Sequence, residues 1–210
     1  NFCLMTIYIH EGDIPEGLNW GNSVAVDTET MGLNLHRDRL CLVQLSSGNG
    51  DAHLVKFNAG QDYCAPRLCQ LMSDPKIEKL FHFARFDIAA LKEYLHVDVT
   101  PIYCTKIASK LVRTFTDRHS LKELCREILG VELSKQFQSS DWGQDKLSDE
   151  QKLYAANDVL YLHRLRERLD VMLIREGRKE IAEACFGFLP HRAALDLLGW
   201  PEKDIFSHES

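Results

Sequence analysis

No stretch of the 210 residues comes near the ~20 consecutive apolar residues that span a bilayer, so no membrane-spanning helix is expected. The opening "NFCLMTIYIH" has no basic region followed by an apolar run, which argues against a secretory signal. Met5 reads as the natural start, with residues 1–4 an upstream extension. No two of the seven cysteines (Cys3, Cys41, Cys64, Cys69, Cys104, Cys125, Cys185) form a Cys-x-x-Cys pair, and their number is odd. A zinc site or a disulfide framework is therefore disfavoured, and reduced cysteines serving as small core residues in a reducing cytosol are expected. A basic excess is missing too: 25 Lys and Arg stand against 31 Asp and Glu, for a net charge of −6. That disfavours general binding along a polyanion, but leaves room for a nucleic-acid enzyme whose acidic site holds metal ions.

What is present is ordinary globular composition, 45% hydrophobic and 27% charged, long enough for one domain with a sizeable core. There is no repeat or low-complexity tract. Strand signals come first, at 23–27, 39–46 ("RLCLVQLS") and 52–57 ("AHLVKF"), and their short connections predict an antiparallel or mixed beginning. A helix at 62–73, a short strand at 79–83, a helix at 86–95 and a strand near 101–104 follow. From 105 onward the pattern is helical. Ser120 with Glu123, and Ser148 with Gln151, read as capping boxes, the second opening the longest helix, 149–176, which ends near Gly177. The remainder reads as short helices broken at Pro190 and Pro201. One stretch, 105–122, carries five basic residues (Lys106, Lys110, Arg113, Arg118, Lys122) against Asp117 alone, and is either a solvated helix face or a local contact for an anion.

The chemistry centres on "VAVDTET", residues 24–30. A strand sends alternate side chains to one face, so Asp27 and Glu29 project together while Thr28 faces away. Two carboxylates held that close raise each other's pKa unless a cation or proton sits between them. Asp87, in "FHFARFDIAAL", lies where a short strand passes into a helix; Asp158, in "YAANDVLYL", lies inside the long helix with Tyr154 one turn before it. Asp141, in "SSDW", reads as a cap or turn residue. Four carboxylates from three separated segments suit a pair of hard divalent cations, Mg²⁺ or Mn²⁺, better than the scattered His and Cys do. Such a pair stabilises both the attacking and the leaving oxygen of a phosphoryl displacement. With an ordinary phenol pKa near 10, Tyr154 is expected to orient the attacking water rather than deprotonate it.

In these residues the chain resembles the DEDD superfamily of 3′→5′ exonucleases, in its Tyr-containing branch. Asp27 and Glu29 match the first motif, Asp87 the second, and Tyr154-x-x-x-Asp158 the third. "SLKELCREILGVELSKQFQSSDW" leading into "LSDEQKLYAANDVLYL" is similar to the RNase D-like group. "DTETMGLNLHRDRLCLVQLS", "TDRHSLKE" and the tail "AEACFGFLP…LDLLGW" resemble the short bacterial nano-RNase C type, which digests very short RNAs and especially diribonucleotides. The resemblance implies an RNase H-like α/β fold, a mixed central sheet flanked by helices with a short helical C-terminal extension. It also implies two divalent metals and a homo-oligomer, a ring-shaped octamer in the cytoplasm. An exonuclease domain over 1–177 is expected, with 178–210 in the same compact unit and offering an oligomer contact. Phe83 stands where many proofreading relatives have Asn, which weakens a proofreading reading. Asp145-Lys146 stands where RNase D-like proteins often carry Arg-Pro.

Short substrates suit the charge balance, because affinity for long nucleic acid grows with the phosphates neutralised. A dinucleotide must instead be gripped by metals, stacking and a few polar contacts. Leu33 matches the family's leucine that wedges between two terminal bases, and Arg118 and His119 are candidates for a 5′-terminal phosphate. The expected activity is release of nucleoside 5′-monophosphates from very short RNA. The competing readings are an RNase D-like enzyme that trims longer 3′ ends, and a dead nuclease fold kept as a binding module; the latter is disfavoured because all four carboxylates and the tyrosine are present.

Overall fold

The computed structural model describes residues 5–134 and 136–208. Cys3, expected among the reduced core cysteines, lies outside the described residues. Of the six described cysteines, all free, Cys41, Cys104 and Cys125 are buried and Cys64 is exposed.

Among the described residues six strands form one mixed sheet: β1 (Ile7–Glu11), β2 (Ser23–Thr30), β3 (Leu40–Ser46), β4 (Ala52–Lys56), β5 (Glu78–Phe81) and β6 (Ile102–Cys104), in the order β1-β4-β3-β2-β5-β6. β2, β3 and β4 make an antiparallel meander, as short connections require, while β1 runs parallel to β4, and β5 and β6 run parallel to β2. Every residue of β3 is buried, which is why "LCLVQLS" reads as a continuous apolar run rather than an alternating one. β1 has no counterpart among the predicted strands. It is an edge strand, largely exposed, and its alternation is too weak to announce it.

The helices are α1 (Pro66–Ser73), α2 (Ala84–Leu95), α3 (Thr105–Val112), α4 (Leu121–Leu124, continuing as a π-helical turn to Leu129), α5 (Asp149–Leu160), α6 (Leu162–Arg175) and α7 (Lys179–Leu198). The Ser148 capping box is complete: Ser148 Oγ accepts the Gln151 N–H and Gln151 returns the contact to the Ser148 N–H. At Ser120 only half forms; Oγ accepts the Glu123 N–H, and the Glu123 carboxylate accepts from the same hydroxyl.

Two expectations are corrected. The helix expected over 149–176 is two helices, broken at Tyr161, whose backbone (φ −111°, ψ −3°) departs from regular α-helical angles. The break lets α5 lie across β2, β3 and β4 while α6 packs on α3 and α7. No Gly or Pro marks it, so propensity gives no warning. The tail is one helix rather than several: α7 runs through Pro190, which forgoes one i→i−4 hydrogen bond and is tolerated because the helix is held by packing. Ala182, Phe186, Leu189 and Ala193 of α7 are buried in the main core, against α2 and β6, so the apolar tail closes the domain's own core. Among the described residues no helix is long and apolar enough to cross a membrane.

Candidate active site

The sheet places the acidic residues at one strand end. β2 lies between antiparallel β3 and parallel β5, and its ladder with β3 shifts between Glu29 and Thr30 as the strand gives way to the loop 31–39. Asp27 and Glu29 share a face, and α5 delivers Asp158 to it: one carboxylate oxygen from each of the three lies within 4.8 Å of the other two. Asp87, in the first turn of α2, falls outside this trio and meets the strand through the intervening residue. Thr28 Oγ1 donates to Asp87 Oδ1 at 2.6 Å. Tyr154 lies on α5 one turn before Asp158, its ring 6.0 Å from that of buried Trp142. Asp141 is a turn residue, accepting the Gly143 N–H at 3.0 Å.

Among the described residues none of the four carboxylates is ion-paired. Beside Asp27 stands an amide dipole. Gln44, directly opposite Asp27 in the ladder and fully buried, donates from Nε2 to Asp27 Oδ2 at 3.0 Å and Glu29 Oε1 at 3.4 Å. Burial pushes all four carboxyls up, and repulsion by neighbouring carboxylates adds to it at Asp27, Glu29 and Asp87. Asp27 and Glu29 are raised well above the usual range, first by desolvation, then by the neighbouring carboxylates. Desolvation lifts Asp87 to about 8 against the pull of Thr28, and Asp158 to about 7. Desolvation followed by Asp158, Glu29 and Asp27 pushes the Tyr154 phenol well up, so it keeps its proton. Clustered, desolvated, oxygen-only donors left uncompensated fit one or more hard divalent cations.

These residues line a cleft of about 350 Å³. Leu33 stands in its wall, 86% exposed. Arg118 and His119 do not line it: Arg118 reaches toward Glu123, 3.9 Å away, and His119 Nδ1 is bonded to Ser109 Oγ at 2.8 Å. The basic stretch is divided in three ways. Arg113 is buried against Glu127, Lys110 is exposed, and Lys106 and Lys122 line the cleft. Lys106 Nζ sits 4.8 Å from the centre of the Phe83 ring, which lies half-exposed at the left-handed residue before α2 (φ 68°). His82, also in the lining, is held neutral, its pKa lowered by burial to about 3. Gln44, Lys106, Lys122 and His82 were absent from the predicted site. Gln44 was the findable one, an amide set inside the apolar run of a buried strand.

Residues 10–174 match the 3′-5′ exonuclease family. Ribonuclease D of Acidiphilium cryptum is 35% identical over 155 residues, 74% of this chain and 39% of that protein. The chain thus spans about two fifths of the length of such curated relatives. Among solved structures, Brucella melitensis NrnC bound to pGG superposes with a TM-score of 0.94 at 55% identity, covering 98% of this chain and 100% of that one. Brucella melitensis NrnC with bound Mg²⁺ gives 0.92 at 53% identity over 97% of this chain and 100% of that chain.

Proposed function

The chain belongs to the 3′-5′ exonuclease family, as an enzyme of the ribonuclease D and NrnC type with the RNase H-like fold, and from that premise we propose that it releases nucleoside 5′-monophosphates from the 3′ ends of very short RNAs, diribonucleotides above all. The observation that carries the proposal is the site itself: three carboxylates without an ion-pair partner, within 4.8 Å of one another, in a cleft of about 350 Å³ where, among the described residues, the ammonium groups are those of Lys106 and Lys122. A long RNA needs many phosphate contacts; the described residues of this cleft offer two. Near-full-length likeness to a protein solved with pGG supports the same reading.

Asp27, Glu29, Asp87 and Asp158 would hold two divalent cations, Mg²⁺ or Mn²⁺. When bound, these supply positive charge against the attacking and leaving oxygens of the phosphodiester. The chain's own side chains do the rest. Gln44 fixes the rotamers of Asp27 and Glu29, and Thr28 fixes Asp87. Tyr154, protonated throughout the working pH range, hydrogen-bonds the nucleophilic water and aims it at phosphorus. The water oxygen gives up one proton to solvent and bonds to phosphorus, the P–O3′ bond breaks, and the departing 3′ oxygen takes a proton from solvent. Leu33 presents an apolar surface to the bases. We assign the 5′-phosphate to Lys106 and Lys122 rather than Arg118 and His119, since only the lysines face the cleft. Residues 178–210 act as part of the same unit, and the exposed Val171, Ile174 and Ile181 on α6 and α7 support self-association, testable by light scattering. Free cysteines, half of those described being buried, suit a cytoplasmic protein.

The test is a length series. Purified protein with Mg²⁺ is given 5′-phosphorylated RNAs of two, five and twenty nucleotides, with Asp27→Ala as control. The dinucleotide should be consumed fastest, and the variant should be inactive. Fastest cleavage of the longest RNA would favour trimming of longer 3′ ends; full turnover by Asp27→Ala would defeat the site assignment.

A further inference from the structure

Leu33 is almost wholly exposed, so its own packing does not fix its position; its loop must. The loop 31–39 leaves β2 just after Glu29 and re-enters the sheet at β3. It is closed internally by Asp38, whose Oδ2 accepts the Asn34 N–H at 2.9 Å while its own N–H donates to the Asn34 carbonyl at 2.7 Å. Gly32 fits under this clasp, where a Cβ would lie 2.4 Å from Asp38 Oδ2. Two further ties fasten the closed loop to helices. Tyr94 Oη donates to the Leu35 carbonyl at 2.6 Å. His36 sets Nδ1 3.0 Å from Glu93 Oε1 on α2, and Nε2 3.1 Å from the Leu197 carbonyl in the last turn of α7. Both partners are acceptors, and the ring nitrogen that carries the proton donates to the one it faces.

The far anchor is itself held. Asp196, beside Leu197, accepts from Arg85 of α2 at 2.6 and 2.7 Å and from Arg192 at 3.0 Å. α7 also lies wholly beyond the residues that match the exonuclease family. We infer that His36 is a positioning residue for substrate, tying the Leu33 loop to α2 and to the end of α7, so that the C-terminal helix forms part of the substrate-binding scaffold. The inference rests on the cleft being the short-RNA site proposed above. The bonds of His36 reach none of the four carboxylates, so its removal leaves the hydrolytic centre in place.

The experiment compares wild type, His36→Ala, Leu33→Ala and the double variant on two substrates. One is a diribonucleotide. The other is a p-nitrophenyl ester of a nucleoside 5′-monophosphate, which has the scissile phosphodiester but no second base. His36→Ala should raise KM for the dinucleotide about five- to tenfold, the worth of about one hydrogen bond, with kcat changed less than about twofold. Ester hydrolysis should be unchanged. The double variant should be no worse than Leu33→Ala alone, since the histidine acts through the leucine. His36→Arg, with its fork of donors, should restore most of the loss. A wild-type KM in His36→Ala, an equal loss on both substrates, or effects of the two variants that multiply would each overturn the inference. Those outcomes are read within an enzyme that cleaves both substrates; wild type that cleaves the ester but spares the dinucleotide would overturn the diribonucleotide reading and this inference with it.

Discussion

Replacing Asp158 with asparagine keeps the side-chain volume and removes one of the repelling charges at the end of β2. Burial lifts this carboxyl to about 7, whereas an unfolded chain leaves it near its ordinary 3.8. A group raised in the folded state favours folding in its protonated form; that advantage is complete below the unfolded pKa and is lost as the pH climbs through the folded one. Above about pH 7 the ionised carboxylate therefore costs the metal-free protein stability. A shift of about three units at about 1.4 kcal/mol each puts the cost at roughly 4 kcal/mol. For a chain of this length that corresponds to a melting-temperature difference on the order of 10 °C.

The assay is thermal unfolding after EDTA treatment, for wild type and Asp158→Asn, between about pH 5 and about pH 8. The variant should melt higher near the alkaline end, with the gap closing as the pH falls and the wild-type carboxyl gains its proton. Adding Mg²⁺ should raise the wild type more than the variant, because the cation is bound by the charges that strain the empty fold. The variant should also lose at least about a hundredfold in activity. A variant that melts below wild type at both pH extremes, or that gains as much from Mg²⁺, would refute the argument that this cluster is held at the expense of stability for a cation.

Thr28→Val removes the hydroxyl that pulls the Asp87 pKa down, so the Mg²⁺ concentration giving half-maximal activity should rise about tenfold, as loss of a ligand-orienting partner does elsewhere. Tyr154→Phe should lower kcat by about 10- to 100-fold with little change in KM. Because the phenol keeps its proton, wild type should show no rate-limiting ionisation of it below about pH 10, and such a limb in wild type alone would argue for a base. Lys106→Ala and Lys122→Ala should each weaken binding of a 5′-phosphorylated dinucleotide more than its unphosphorylated counterpart; equal losses on both would move the phosphate elsewhere. The logarithm of wild-type affinity should fall against the logarithm of salt with a slope no steeper than about −2, whereas a steep slope would mean a longer phosphate track.

The carboxylates could be read in advance because each is fixed by local geometry. Strand alternation pairs Asp27 with Glu29, helical spacing pairs Tyr154 with Asp158, and the strand-to-helix junction presents Asp87. Their meeting follows once α5 is laid across β2, and its apolar face requires that it be laid somewhere on the sheet. Substrate contacts had no such local rule. Arg118 and Lys122 lie in one basic stretch and look alike in sequence, yet one points toward Glu123 and the other into the cleft, because α4 begins between them. Gln44 becomes meaningful only with the β2–β3 register, which sets it opposite Asp27.

The break at Tyr161 and the unbroken course of α7 through Pro190 belong together. Both are settings where tertiary packing overrides propensity, which favours a long uninterrupted helix in the first case and a stop in the second. Without the break, α5 could not leave the sheet for α6 to follow α3. Without the continuous α7, the Leu197 carbonyl would not reach His36. The carboxylate half of the site is thus encoded within short windows of sequence, while the Leu33 loop, proposed to face the bases, depends on contacts spanning as much as 161 positions. Substitutions in the C-terminal helix should accordingly tune substrate selection more readily than they tune hydrolysis itself.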